Sequence, residues 1–291
     1  ALLGAGILLI GKSLTQEEAF HFIDLNVIFL LVGMMIIVNI LKETGVMKWL
    51  AIFTAKKVNG SGILMLIYFS VLTAVISALL DNVTTVLIVG AVTIQITKDL
   101  KINPIPFLVS EAIASNVGGT ATLIGDPPNI MIGSAAKLSF IDFIIHLTPV
   151  ILMILPFTIF TLYWFYKDQI KISDSAKKEL ENMSLEGLIT DKKLLFPALL
   201  ITTSVILAFF FHSQLGLESG TIALSGAAFM LIFENRKHIW EDVEWTTIFF
   251  FIGLFIIVGA VEKSGTIHYL SELIFKLSGG DFKTSTISIL W

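Results

Sequence analysis

Residues 26–41 read NVIFLLVGMMIIVNIL and residues 246–261 read TTIFFFIGLFIIVGAV, runs that carry no charge and are apolar on every side of a helix. A soluble fold has little use for several such segments. A bilayer core about 30 Å thick requires them, at about 20 apolar residues per crossing. Comparable runs fall at 141–165, 194–212 and 217–233. With 55% hydrophobic and 14% charged residues and a mean hydropathy of +0.89, the chain lacks the polar surface that a globule of 291 residues needs. The expected fold is an all-α polytopic integral membrane protein.

Several function classes drop out. Cysteine is absent, which removes disulfides, thiolate catalysis and cysteine metal sites. His21, His146, His212, His238 and His268 are scattered, mostly at span ends or in loops, so no zinc cluster is expected. A net charge of -4 gives no nucleic-acid footprint. No resident metal or cofactor is implied, and Na+ or H+ enters only as a coupling ion. The chain opens on ALLGAGILLIG, without an initiator Met or a basic stretch, as a helix cut part-way through would.

Three further apolar segments, 63–80, 83–97 and 106–135, carry or abut Gly, Asn, Asp or Pro. Taking 63–97 as a re-entrant hairpin places loops 42–61, 98–105, 167–193 and 234–245 on one face. They hold 14 of the 19 Lys and Arg residues, so that face is expected to be cytoplasmic, in a bacterial inner membrane. The mixed-charge stretch 167–193 is expected to be a solvated cytoplasmic linker.

Shifting the sequence by 220 positions aligns NVIFLLVGMMIIVNILKETGVMKWL with TTIFFFIGLFIIVGAVEKSGTIHYL, matching Gly33 with Gly253 and Gly45 with Gly265. Two repeats are expected: 1–166, with hairpin 63–97 and broken helix 106–135, and 194–291. In the orientation above the repeats are inverted, the plan of many secondary transporters. Counterparts of Asp81 and Asn82 would fall near position 301, so the chain is expected to be incomplete at both ends.

Two clusters could carry chemistry. In LLDNVTT, Asp81 and Asn82 fall where two helices would meet, and Thr84 and Thr85 add neutral oxygens of the kind hard cations use. A mid-bilayer carboxylate costs at least about 2.5 kcal/mol, and persists mainly where it binds, pairs or exchanges a proton. Helix capping is the plainer alternative. In SEAIASNVGGTATLIGDPPNIMIG, Gly118, Gly119, Gly125, Pro127 and Pro128 oppose a continuous helix. Ser115, Asn116, Thr120, Thr122, Asp126 and Asn129 surround the expected break between Asn116 and Asn129 with side-chain oxygens. Its freed backbone groups need a cavity, water or ligand. Asp81, Asp126 and Glu111 are the candidates for proton coupling.

The pair DNVTT and SNVGGTATLIGDPPN, in this order and about 30 residues apart, resembles the ion transporter superfamily, in particular its ArsB/NhaD branch. Ser77 to Ile132 looks most like the melanosomal P protein and its bacterial relatives. The resemblance implies an inverted-repeat fold, usually homodimeric, in which each half gives a re-entrant hairpin and a broken helix to a central site. Asp81, Asn82 and Thr84 take the hairpin-tip positions; Asn116, Gly118, Gly119, Thr120, Gly125, Pro127, Pro128 and Asn129 take those of the broken helix. Dicarboxylate carriers of the superfamily typically read Ser-Asn-Thr and Gly-Thr-Pro-Pro, whereas here Asp81 and Asp126 replace the Ser and the second Thr. Two carboxylates suit a cation, a proton or a neutral solute better than a dianion. The implied function is secondary active transport rather than enzymatic: Na+/H+ antiport or arsenite efflux, with a citrate-type anion carrier as the alternative. A channel or an intramembrane aspartyl protease is more remote, since the Tyr-Asp and Gly-x-Gly-Asp motifs of the latter are missing.

Overall fold

The computed structural model describes residues 1–58, 61–80, 82–173, 178, 183–234, 238–279 and 281–290. Every regular element among them is a helix. In chain order these are α1 (Leu2–Ile10), α2 (Gln16–Phe22), α3 (Leu25–Glu43), α4 (Val46–Lys57), α5 (Gly62–Leu79), α6 (Asn82–Asp99), α7 (Ile105–Gly119), α8 (Pro127–Ala136), α9 (Phe140–His146), α10 (Thr148–Tyr166), α11 (Lys192–Leu215), α12 (Ser219–Phe233), α13 (His238–Glu241), α14 (Trp245–Lys263), α15 (Thr266–Leu277) and α16 (Phe282–Leu290). Leu25–Glu43, Gly62–Leu79, Thr148–Tyr166, Lys192–Leu215 and Ile239–Lys263 are long and apolar enough to cross a bilayer, and α8 with α9 forms a pair bent by 112°. The protein is an all-α polytopic membrane protein.

The span expected at 141–165 begins later. Pro149 sits in the first turn of α10, where a missing N–H does no harm, but in a continued α9 it would have no N–H for the carbonyl four residues earlier and its ring would crowd that carbonyl. Phe140–His146 is therefore a separate short helix, capped by Ser139, and the crossing runs over Thr148–Tyr166.

Two compact units are formed, Ala1–Ile28 with Glu244–Trp291, and Phe29–Val243. In the first, α1 and α2 pack on α14, and Phe22 lies against Gly259 where any side chain would collide with its ring. Lys263 donates to both carboxylate oxygens of Glu18 at 2.6 and 2.7 Å. That bond, followed by the backbone N–H of Thr15, holds the Glu18 carboxyl at about 2 against an ordinary 4.5. A depressed carboxyl stabilises the fold above its ordinary value and loses that contribution as pH falls towards 2.

In the second unit, one apolar cluster decides the topology. Met65, Leu66 and Phe69 from the start of α5 share it with Val92, Ile96 and Leu100 from the end of α6, and with Ala51, Ile52 and Ala55 of α4 and Phe107 of α7. The start of α5 and the end of α6 therefore lie together, and residues 62–99 form a helical hairpin whose tip points away from this base. Ile170 also belongs to the cluster, with Ile172, Met183, Leu185 and Leu188 packed on it. The stretch 167–193 is thus not wholly solvated. Its charges alternate with apolar residues that cover the hairpin base, and Lys56 Nζ donates to the Met183 carbonyl at 2.6 Å.

The four basic loops meet at this base. Thr190 N donates to the Thr44 carbonyl at 3.0 Å, Asn103 Nδ2 to Gln169 Oε1 at 3.1 Å, and Lys42 pairs with Asp242 at 3.8 Å. These contacts join the described parts of the four loops at one end of the unit.

The segments aligned by the 220-residue shift also share local structure. Helices α3 and α14 both have 19 residues, and α4 and α15 both have 12. Gly45 at φ 79° and Gly265 at φ 76° make the turns between them, in a left-handed conformation that disfavours side chains. The preceding hydroxyls close the helices alike: Thr44 Oγ1 donates to Leu41 O at 2.6 Å and Ser264 Oγ to Val261 O at 2.7 Å.

Phe69 is fully buried at the hairpin base. Phe69→Ala is expected to cost about 3–5 kcal/mol, read as a lowered Tm of the detergent-solubilised protein by scanning fluorimetry. In a titration of the Glu18 carboxyl, Lys263→Met is expected to move it back towards 4.5.

Candidate functional site

The hairpin tip and the gap between α7 and α8 meet in the second unit. Helix α5 ends because Leu80 is extended (φ -126°, ψ 171°), and α6 resumes at Asn82. Asp81, between them, lies outside the described residues. Helix α7 ends at Gly119 and the chain resumes helix at Pro127, so the break spans 120–126, inside the interval expected from the sequence. The proline pair opens the second half-helix, at positions where no N–H is missed.

Glycines let the pieces touch. A side chain at Gly118 would run into the backbone of Ala74, and a Cβ at Gly119 would sit 2.7 Å from the Gly125 carbonyl oxygen. A Cβ at Gly125 would lie 2.6 Å from the Ser77 carbonyl oxygen. These contacts bring α5 against α7 and fold the break onto its own start.

Hydrogen bonds then tie the tip to the break. Ser77 Oγ donates to the Ser115 carbonyl at 2.8 Å, and Ser115 Oγ donates to Ser77 Oγ at 3.0 Å and to the Asn82 carbonyl at 3.1 Å. Thr122 Oγ1 donates to the Ala78 carbonyl at 2.5 Å. Asn129 Nδ2 reaches back to the carbonyls of Thr120 at 3.2 Å and Thr122 at 2.9 Å. Carbonyls orphaned by the break are thus satisfied by side chains, as apolar surroundings demand.

The open part of the cluster is small and polar. Asn82 Nδ2 donates to Asn116 Oδ1 at 3.1 Å and approaches Asp126 Oδ1 at 3.5 Å. Asn116 is exposed, and Asn82 and Asp126 are partly so. Asp126 stands at the N-cap of α8 yet its carboxylate makes no cap bond. Of the residues expected from sequence, Asn82, Ser115, Asn116, Thr120, Thr122, Asp126 and Asn129 come together with Gly118, Gly119 and Gly125. Thr84 and Thr85 lie in the first turn of α6, Thr85 fully buried. Glu111 is set back: it is buried and receives a hydrogen bond from Thr93. Ser77 and Thr93 were not singled out from sequence. Ser77 had a signal, a small polar residue about one turn before the tip, in a mostly apolar run that also carries Ser70 and Thr73.

A model of the family described as citrate transporter matches residues 1–291. The chain belongs to this family. Its relatives include an uncharacterized transporter of Mycobacterium tuberculosis, 40% identical over 298 residues, covering 100% of the chain and 69% of the relative. The 46 kDa membrane protein of Mycobacterium leprae is 38% identical over 286 residues, covering 96% and 67%. The P protein of Sus scrofa is 30% identical over 366 residues, covering 99% and 43%. Against a second uncharacterized transporter of Mycobacterium tuberculosis the chain spans 65% of the relative's length. Membership makes the protein a membrane transporter of the ion transporter superfamily.

Asn82→Ala removes the amide that joins the tip to the break. An exposed hydrogen bond of this kind is worth about 0.5–1.5 kcal/mol, so if the cluster holds the cargo its apparent affinity is expected to fall about 2- to 13-fold. Flux measured against cargo concentration, with membrane insertion checked in parallel, tests this.

Proposed function

We propose that the intact protein is a secondary active transporter that moves a cation or small neutral solute against protons, as in Na+/H+ antiport or arsenite efflux. The observation that carries this reading is the carboxylate of Asp126 beside Asn82 and Asn116, with no Lys, Arg or His bonded to it among the described residues. Carboxylate, amide and backbone oxygens are the ligands of a hard cation. Asp81 adjoins Asn82 in sequence and would add a second carboxylate. Neutral arsenite would use the same oxygen and amide groups.

The shared local structure of 25–57 and 245–277 supports a second half-site from an inverted repeat, with 1–166 as the first repeat and 194–291 as part of the second. The gathered basic loops support a cytoplasmic hairpin base and a bacterial inner-membrane location. A homodimer, and rocking or elevator-like exposure of the site to either side, complete the proposal.

A second reading, carriage of citrate or another polycarboxylate, is favoured by the family's description. Against it stands Asp126, which would repel a free polyanion.

The test uses the full-length protein in everted vesicles, with a pH-gradient dye followed as Na+, Li+, arsenite or citrate is added. A response to Na+, Li+ or arsenite that disappears in Asp126→Asn and Asp81→Asn is expected. A response to citrate alone would replace the first reading with the second, and an undiminished flux in Asp126→Asn would remove that residue from the site.

A further inference from the structure

Glu111 is fully buried on α7, one turn before Ser115. Its Oε1 accepts a hydrogen bond from Thr93 Oγ1 on α6 at 2.5 Å. Its Oε2 has no hydrogen-bond partner among the described residues, and Gly90 faces it, where an added Cβ would lie 3.8 Å away. A bare carboxylate held by one neutral donor in apolar surroundings is unfavourable, so the group must hold either a proton or a cation. A hard cation asks for six or more oxygens, and among the described residues Thr93 supplies the one partner that Glu111 has. A proton on Oε2 suffices.

Among the described residues no other ionisable group bonds to this carboxyl. Among the described residues of the elements packed on α7, α5 carries Tyr68, which is exposed. Helix α6 carries Lys98 and Asp99 at its far end, and α10 carries Tyr163 and Tyr166 beside the base cluster. None of these bonds to Glu111, which forms no ion pair among the described residues.

Position supplies the function. Thr93 and Glu111 lie on α6 and α7, the two helices whose other parts carry Asn82 and Ser115 with Asn116. Cargo that alters the Asn82–Asn116 contact bears on the same helix pair that encloses Oε2. Ionising Glu111 would leave an unsatisfied charge until water or a second donor arrived, and that requires the hairpin to part from α7.

We propose that Glu111 is the proton-carrying residue of the transport cycle, set apart from the cargo site and coupled to it through the packing of α6 on α7. The carboxyl keeps its proton on Oε2 while the hairpin is seated, and gives it to water when the hairpin parts from α7. It takes up another from the opposite side, so one proton moves per cycle with no bond made or broken elsewhere. This inference rests on the transport reading above.

The test combines a spectroscopic and a transport measurement on the intact protein. Infrared spectra of the reconstituted transporter in H2O and D2O report protonated carboxyls through a C=O stretch that shifts on deuteration, with the proton itself as probe. Glu111→Gln is expected to remove one such band. In vesicles, whichever of Na+, Li+, arsenite or citrate the wild type moves should still exchange in Glu111→Gln at equal pH on both sides. Accumulation driven by a pH gradient should fall about tenfold or more. A band unaltered in Glu111→Gln, or pH-driven accumulation retained there, overturns the inference. So does loss of both exchange and accumulation in a Glu111→Gln protein that inserts normally, because Glu111 would then merely shape the site. If Glu111→Gln fails to insert, Glu111→Asp keeps a titratable group: an altered pH profile of transport supports the inference, and an unchanged one overturns it. If the wild type moves none of the four solutes, the transport reading fails, while the infrared band still reports on Glu111.

Discussion

Lipid offers no hydrogen bonds, so any interruption of a helix within the bilayer must be repaired by the protein itself. The gap between α7 and α8 shows how. The carbonyls of Thr120 and Thr122 accept from Asn129, the carbonyl of Ala121 accepts from Thr148 at 3.0 Å, and Thr122 bonds across to the end of α5. The hairpin tip is thus part of the repair. Site and fold share one network, because the side chains that make a non-helical stretch tolerable are the ones that surround the exposed amide and carboxylate.

Close packing makes that network geometrically attainable. Ala74, Ser77, Ser115, Gly118, Gly119 and Gly125 are small, and together they allow α5 and α7 to approach until backbone touches backbone. Such interfaces are typical of membrane helices, where lipid competes with apolar side chains but not with close backbone contact. Bulk is kept for the hairpin base, where Phe69 and Phe107 fill the cluster shared with α4.

Much of this was legible in the sequence because its signals are local. Hydropathy marked the long spans, Gly118 with Gly119 and Pro127 with Pro128 bracketed the break, and the shift of 220 residues paired turns that share a conformation at Gly45 and Gly265. What was missed depends on tertiary contact. The alternation of Ile170 and Ile172 with charge reads as solvated until the cluster they cover is known. Thr93 is an ordinary helical threonine until Glu111 is seen against it, and Ser77 gains meaning from Ser115, a residue distant in sequence. The start of the crossing at Thr148 rather than 141 turned on Pro149, whose boundary effect was present in the sequence but outweighed by the apolar run across it.

The asymmetry of the hairpin has a mechanical side. Its base is clamped: a side chain at Gly62 would strike the carbonyl of Ile170, and the surrounding cluster is apolar and buried. Its tip, about 27 Å away along an 18-residue helix, is held by a handful of hydrogen bonds beside an exposed asparagine. The hairpin is therefore a cantilever, stiff where it is anchored and compliant at the free end, and a tilt of a few degrees at Gly62 becomes a displacement of an ångström or more at the candidate site.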